Sequence, residues 1–120
     1  MAATRILYIC FDPAVLLSRE RLLLEHGYDV CTVLGPDGLL AFKRIGEFDL
    51  VLIGDEGSLR ERHTSVRRLK EQLFPAPIVA LCRGVEDVPE ADYQILTAGP
   101  NTWCDAVADC LRRSQESSAQ

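Results

Sequence analysis

The chain has 120 residues, of which 48% are hydrophobic and 26% are charged, and its net charge at pH 7 is −5. This length and balance are typical of one globular domain and exclude a disordered chain. The acidic balance argues against a nucleic-acid partner, because phosphate binding requires a basic face. No apolar run approaches the roughly 20 residues that span a bilayer, and no signal-peptide pattern precedes the first predicted strand. We therefore expect a cytoplasmic protein that does not associate with membranes.

Apolar runs alternate with amphipathic stretches along the chain, which predicts strands that alternate with helices. Asp12 is a predicted helix N-cap, Gly27 ends the same helix, and the helix between them is predicted to turn Arg19 toward water. The segment between the fourth and fifth strands is acidic and contains Gly84 and Pro89, so it can hold at most one helical turn. The predicted elements are strands over residues 5–10, 28–33, 48–53, 78–82 and 93–96, and helices over residues 13–26, 35–45, 59–73 and 102–113.

The strand over residues 48–53 is the predicted centre of the fold, because Leu50 to Ile53 form an unbroken apolar run typical of a strand buried on both faces. The second strand is half polar and is predicted at an edge. These features predict a three-layer α/β sandwich with a doubly wound, five-stranded parallel sheet of order 2-1-3-4-5 and a shortened fourth helix. Ligands bind beyond the carboxyl ends of the strands in such sheets, which directs attention to Gly54 and Asp55.

The cysteines contain no C-x-x-C pair, and neither His26 nor His63 has a cysteine or histidine at zinc-ligand spacing. This pattern predicts free, mostly buried thiols in a reducing compartment, without disulfides or a bound zinc ion. The five cysteines are Cys10, Cys31, Cys82, Cys104 and Cys110.

Four stretches follow one another in a characteristic order: residues 6–13, the stretch Gly27-Tyr28-Asp29-Val30, the strand Phe48-Asp49-Leu50-Val51-Leu52-Ile53 and residues 77–81. Together they resemble the response-regulator receiver domain of bacterial two-component signalling. The resemblance covers nearly the whole chain and implies the flavodoxin-like fold of that family. We therefore predict a receiver-like domain over residues 1–113 and a disordered polar tail over residues 114–120.

Receiver domains accept a phosphoryl group with the help of five residues at the strand ends. In that family, two acidic residues after the first strand hold Mg²⁺, an Asp after the third strand is the acceptor, and a Thr or Ser and a Lys follow the fourth and fifth strands. None of the five is the family residue here: Gly54 has no side chain to phosphorylate, and Phe11 replaces a metal ligand. We therefore predict a degenerate receiver, or pseudo-receiver, that is not an enzyme and needs no cofactor. The resemblance aligns the five positions with Cys10, Phe11, Gly54, Cys82 and Gly99.

A receiver scaffold without its chemistry predicts phosphorylation-independent protein–protein interaction in bacterial signal transduction or transcriptional regulation. The resemblance implies a protein partner: a kinase of a phosphorelay, an output domain, another receiver, or a second copy of the chain in a homodimer. Trp and Arg are frequent interface anchors, although Trp103 is equally suited to packing in the core. The candidate interface residues are Trp103 on the last helix and Arg60, Arg67 and Arg68 on the third helix.

Three alternatives remain open from the sequence. Asp12 and Asp55 each lie one residue beyond a position of the lost site, and in a residual switch they would bind Mg²⁺ or accept the phosphoryl group; otherwise they are a helix cap and a loop residue. The space left at Gly54 would admit a small molecule. A redox-sensitive thiol at Cys82, beside the cationic Arg83, is the third alternative.

Overall fold

The computed structural model of the chain describes residues 4–41, 48–72, 76–84, 88, 90–97 and 102–118. Five parallel strands form one sheet of order β2-β1-β3-β4-β5. The strands are β1 (Arg5–Cys10), β2 (Asp29–Leu34), β3 (Leu50–Ile53), β4 (Ile78–Cys82) and β5 (Tyr93–Leu96). The helices of the described residues are α1 (Pro13–Glu25), α2 (Gly35–Ala41), α3 (Leu59–Glu71) and α4 (Thr102–Ser118). The predicted fold class and strand order are confirmed.

Capping residues determine where α1 and α3 begin. The Asp12 side chain accepts a 2.9 Å hydrogen bond from the Ala14 amide at the start of α1. Gly27, just beyond the end of α1, has a φ of 88°, in the left-handed region that glycine tolerates. α3 begins with a capping box between Ser58 and Glu61, which the sequence analysis did not identify.

The buried side chains form two apolar clusters, one on each face of the sheet. α1 and α4 cover one face, where Leu23 and Trp103 pack against alternate residues of the strands. α2 and α3 cover the other face through Leu39, Val66 and Leu69. Every residue of β3 is buried, as predicted for the central strand. The loops that follow the parallel strands consequently meet at one edge of the sheet, where ligands bind in folds of this type.

The connection between β4 and β5 contains no helix in the part that the structure describes. Polar contacts join this connection to α3: His63 Nδ1 lies 2.9 Å from Glu90 Oε2, and Lys70 Nζ forms an ion pair with Asp92 Oδ1 at 3.4 Å. On the edge strand β5, the Leu96 side chain is 61% exposed. These features agree with the predicted shortening of the fourth helix.

The structure differs from the sequence-based expectation in two details, and a third prediction falls on residues that the structure does not describe. The sequence predicts a disordered tail over residues 114–120, whereas α4 continues to Ser118. Arg19, predicted to face water, is directed inward and its side chain is only 17% exposed. The predicted continuation of the second helix beyond Ala41 lies outside the described residues.

All five cysteines are free thiols; Cys31 is partly exposed and the other four are buried. The predicted burial of most thiols is therefore confirmed. In the described parts of the chain, no helix combines the length and apolar character that crossing a membrane requires. Those same residues contain no group of three or more His, Cys, Asp or Glu side chains arranged to hold a metal ion.

Candidate functional site

The candidate site lies at the carboxyl ends of β1, β3 and β5, where the sequence analysis expects ligands to bind. Gly54 directly follows β3, and its amide donates a 2.9 Å hydrogen bond to the Ile9 carbonyl. A Cβ atom at Gly54 would overlap with the carboxylate of Glu56. The space that a side chain at position 54 would take is therefore already filled by the side chain two residues later.

Three donors hold the Glu56 carboxylate in this space. Its Oε1 accepts from the Phe11 amide at 3.1 Å, and its Oε2 accepts from the Tyr8 hydroxyl at 2.9 Å and from Arg19 Nη1 at 2.5 Å. The Glu56 side chain is 1% exposed, and both of its oxygens have the donors that a buried carboxylate needs. Burial and then the charge of Glu56 raise the pKa of Tyr8, so the Tyr8 hydroxyl keeps the proton that it donates.

Asp55 supplies a second carboxylate, and its side chain is also 1% exposed. Its Oδ1 accepts from Arg19 Nη1 at 2.7 Å, its Oδ2 accepts from the Thr97 hydroxyl at 2.7 Å, and Arg83 Nε lies 3.7 Å from Oδ2. Burial by itself raises the pKa of Asp55, but the hydrogen bonds from Arg19 and Thr97 and the nearby positive charges lower this pKa below its ordinary value. Asp55 is therefore ionised at neutral pH and already paired.

Arg19 joins the two carboxylates from α1. Its Nη1 donates to both Asp55 and Glu56, and its guanidinium carbon lies 5.8 Å from the centre of the Trp103 ring. Burial by itself lowers the pKa of Arg19, but its hydrogen bonds with Asp55 and Tyr8 raise this pKa above the ordinary value, so the guanidinium is a permanent cation. We call the following residues the strand-end cluster: Tyr8, Arg19, Asp55, Glu56 and Thr97.

The other positions of the predicted site near β1 have structural contacts. Cys10 Sγ donates to the Asp12 carbonyl at 3.2 Å, and burial raises the pKa of the Cys10 thiol. The Phe11 ring lies against Gly57, where an added Cβ atom would come within 2.6 Å of the ring. The Asp12 side chain is the N-cap of α1, in line with the helix-cap interpretation. Gly99, the predicted counterpart of the lysine, lies outside the described residues.

The end of β4 has a different environment from the strand-end cluster. Cys82 is buried, and its Sγ lies 3.6 Å from Arg62 Nη2. Arg62 also donates to the Leu81 carbonyl, and its buried Nε has no hydrogen-bond partner in the part of the chain that the structure describes. Arg83 pairs with Asp55. The cation beside the Cys82 thiol is therefore Arg62 and not the neighbouring Arg83 on which the redox hypothesis was based.

The candidate interface residues lie in three different environments. Trp103 is 4% exposed and packs in the core between the sheet and α1, so its ring is not on the surface. Arg68 is half-buried, and its Nη1 donates to the Pro36 carbonyl of α2 at 2.9 Å. Arg60 and Arg67 are exposed, lie on one face of α3 because they are seven residues apart, and have no ion-pair partner among the described residues.

The sequence patterns do not identify Tyr8, Arg19, Glu56 or Thr97 as site residues. The apolar pattern of α1 does not predict the inward direction of the Arg19 guanidinium, because a long side chain can pack its stem along the helix and carry its charged end inward. The positions of Glu56 and Thr97 in the chain could have indicated their role, since they closely follow the ends of β3 and β5, where site residues gather.

No protein-family model and no curated protein matches this chain. Solved structures do match, and receiver domains are among them. A CheY-like receiver domain protein from Methanospirillum hungatei has 19% identity and a TM-score of 0.76, with 97% of this chain and 99% of that chain covered. The signal receiver domain of a Luxo repressor protein from Vibrio parahaemolyticus has 12% identity and a TM-score of 0.77, with 98% and 97% covered.

The response regulator TrrA from Thermotoga maritima, solved in complex with Mg²⁺ and BeF, has 18% identity and a TM-score of 0.73, with 90% of this chain and 98% of that chain covered. These values describe nearly complete structural overlap at low sequence identity. The chain therefore has the receiver-domain fold of two-component signalling proteins.

Proposed function

We propose that this chain is a degenerate receiver domain, over residues 1–113, that acts in the cytoplasm by phosphorylation-independent binding of a protein partner in bacterial signal transduction or transcriptional regulation. The observation that carries the proposal is at Gly54. In the resemblance, this glycine takes the place of the phospho-acceptor, and the Glu56 carboxylate fills the space of the missing side chain. Phosphoryl transfer needs an acceptor atom and room for the phosphoryl group, and Gly54 offers neither.

The electrostatics of the strand-end cluster support the same proposal. Transfer of a phosphoryl group depends on positive charge that is free to neutralise it, usually from a metal ion and a lysine. In the part of the chain that the structure describes, Arg19 is already paired with Asp55 and Glu56, and Arg83 lies beside Asp55. The charges of the cluster therefore have internal partners, and the scaffold keeps its arrangement without a phosphoryl group.

The two alternatives at this edge of the sheet would both require the cluster to break first. A switch through Asp12 and Asp55 would need Asp12 to leave its helix-capping role and Asp55 to give up Arg19. A small molecule at Gly54 would have to displace the Glu56 carboxylate together with its three hydrogen bonds. No contact of these residues favours either alternative over the interaction module.

The fold and one surface support the proposed class of partner. TrrA of Thermotoga maritima has been crystallised in complex with the histidine kinase ThkA, so a kinase is our first candidate partner; an output domain, another receiver and a second copy of this chain are the others. The proposed contact surface is the exposed face of α3 at Arg60 and Arg67. Arg60 and Arg67 are exposed and have no ion-pair partner among the described residues, so this face can attract acidic groups although the whole chain is acidic.

An amide NMR titration with Mg²⁺ and then beryllofluoride, a stable mimic of the phosphoryl group, tests the loss of phosphorylation. We expect no saturable shifts at Gly54, Asp55 or Thr97, because the carboxylates there are already paired. Saturable shifts clustered at these residues would overturn the proposal and identify a working switch.

Capture of partners from a lysate of the source organism, with and without acetyl phosphate, tests the binding function. We expect equal capture in both conditions and a loss of about tenfold or more for the Arg60→Glu/Arg67→Glu variant, because like charges across an interface are costly. Arg21→Glu, at an exposed site of α1, is the matched control. Capture that depends on acetyl phosphate would contradict the proposal. Analytical sedimentation of the purified chain shows whether the chain forms a homodimer, which distinguishes a second copy from a different partner.

A further inference from the structure

The two carboxylates of the strand-end cluster converge on a single nitrogen atom. Arg19 Nη1 lies 2.7 Å from Asp55 Oδ1 and 2.5 Å from Glu56 Oε2. Both carboxylates are shielded from bulk water, since each side chain is 1% exposed. Two negative charges held this close together in a buried site need a cation between them, because water does not screen their repulsion.

Arg19 meets this need in a way that an exchangeable ion does not. Its guanidinium is charged at every accessible pH, is covalently attached to α1 and lies beside the Trp103 ring. The other oxygen of each carboxylate is bound by a protein donor: the Phe11 amide binds Glu56 Oε1, and the Thr97 hydroxyl binds Asp55 Oδ2. The Tyr8 hydroxyl donates to Glu56 Oε2, the oxygen that Arg19 also binds. The cluster thereby joins α1, β1, the loop after β3 and the end of β5.

We propose that Arg19 is a resident cation, whose guanidinium takes the place of an exchangeable divalent ion between Asp55 and Glu56 and holds the loop after β3 in one position at any supply of metal or phosphoryl donor. The proposal rests on the proposed function in one respect: both assume that no phosphoryl group is transferred at this edge of the sheet. Withdrawal of the guanidinium leaves two carboxylate oxygens facing one space, and such oxygens are the hard ligands that Mg²⁺ and Mn²⁺ prefer. We therefore expect a variant without the Arg19 guanidinium to bind a divalent cation between Asp55 and Glu56.

Metal binding by the full-length wild type and by Arg19→Ala tests this inference. We expect Mn²⁺ to leave the Tm of the wild type unchanged and to raise the Tm of Arg19→Ala by roughly 5 °C at about ten times the dissociation constant. Because Mn²⁺ is paramagnetic, it should also broaden the amide signals of Asp55 and Glu56 in the variant alone. Arg21→Ala, which removes an exposed arginine from the same helix, is the matched control. The double variant Arg19→Ala/Asp55→Asn should lose the metal response.

A second measurement uses the wild type alone, so the inference is tested even if Arg19→Ala folds poorly. Two carboxylates on one Nη atom hinder rotation of the guanidinium, and we expect separate NMR signals from the Arg19 NH₂ protons that millimolar Mg²⁺ does not move. Three outcomes would each overturn the inference. They are averaged signals from the Arg19 NH₂ protons, Mn²⁺ broadening at Asp55 in the wild type, and a folded Arg19→Ala variant that does not respond to metal. None of these measurements involves a partner, so the inference and the proposed function can fail separately.

Discussion

Arg19 and Arg62 lie on helices that cover opposite faces of the sheet, and each carries a guanidinium to the end of a strand. Arg19 binds two buried carboxylates. Arg62 is the more deeply buried of the two, yet its partners are the Leu81 carbonyl and the Cys82 thiol, and its Nε has no partner among the described residues. Among the described residues, the positive charge of Arg19 thus has anionic partners, whereas that of Arg62 has neutral ones.

Burial by itself therefore does not measure how much a charged side chain contributes to stability. Removing one member of a buried ion pair leaves the other charge desolvated, which is costly. Removing a buried cation whose partners are neutral loses a hydrogen bond but also relieves the cost of burying the charge. We therefore expect the fold to depend on Arg19 much more than on Arg62.

The largest expected effect is that of Arg19→Met, which keeps the apolar stem and removes the charge. We expect it to lower the free energy of unfolding by about 3–5 kcal/mol, because Asp55 and Glu56 then face each other without the cation that lies between them. Urea unfolding at pH 7 measures this loss. Arg21→Met, on the exposed side of α1, should change the free energy by less than about 0.5 kcal/mol. A loss below about 1 kcal/mol for Arg19→Met would show that the cluster is not charge-coupled.

Asp55→Asn should have the next largest effect, a loss of about 1.5–3 kcal/mol at pH 7, because it weakens charge-assisted hydrogen bonds. The effect should depend on pH. The folded-state pKa of Asp55 lies below its ordinary value of 3.8, so ionised Asp55 stabilises the fold above that pH and loses this contribution as the pH falls through the lowered pKa. Urea unfolding of the wild type and the variant in a series from neutral to acidic pH measures the difference, which should shrink in acid. A difference that stays constant would contradict the assigned pairing.

Gly54→Ala should cost about 1–3 kcal/mol, because the new Cβ atom displaces the Glu56 carboxylate from its hydrogen bonds. The cost should become small in a Glu56→Ala background, and a double-mutant cycle by urea unfolding measures this coupling. Gly84→Ala is the matched control, since a Cβ atom there meets nothing within 4 Å. Equal costs of Gly54→Ala in the two backgrounds would mean that Glu56 does not fill the space at Gly54.

Arg62→Met is the smallest expected change and the sharpest test of the comparison. We expect the free energy of unfolding to stay within about 1 kcal/mol of the wild type, because the lost hydrogen bond to Leu81 is offset by removal of a desolvated charge. Urea unfolding beside Arg19→Met in the same buffer gives the contrast directly. A loss as large as that of Arg19→Met would indicate that Arg62 also has an anionic partner.

Sequence patterns located the edge of the sheet that holds the site but not the contacts within it. The position of Gly54 after the central strand was predictable, because an unbroken apolar run and a following glycine are local features. The pairing of Arg19 with Asp55 was not predictable, because the two residues are 36 positions apart and the helical pattern of α1 placed Arg19 toward water. Trp103 was left open between core and surface, and burial by α1 and the sheet decided for the core.

The order of strands and helices, the parallel sheet and the lack of a side chain at position 54 can all be predicted from the sequence. These properties depend on apolar periodicity, capping residues and the identity of one residue, all of which are local. The tertiary structure alone decided that Glu56 fills the space at Gly54, that Arg19 joins two carboxylates and that Arg62 lies beside a thiol. Long polar side chains find their partners by geometry and desolvation where distant elements meet, and no local pattern encodes that meeting.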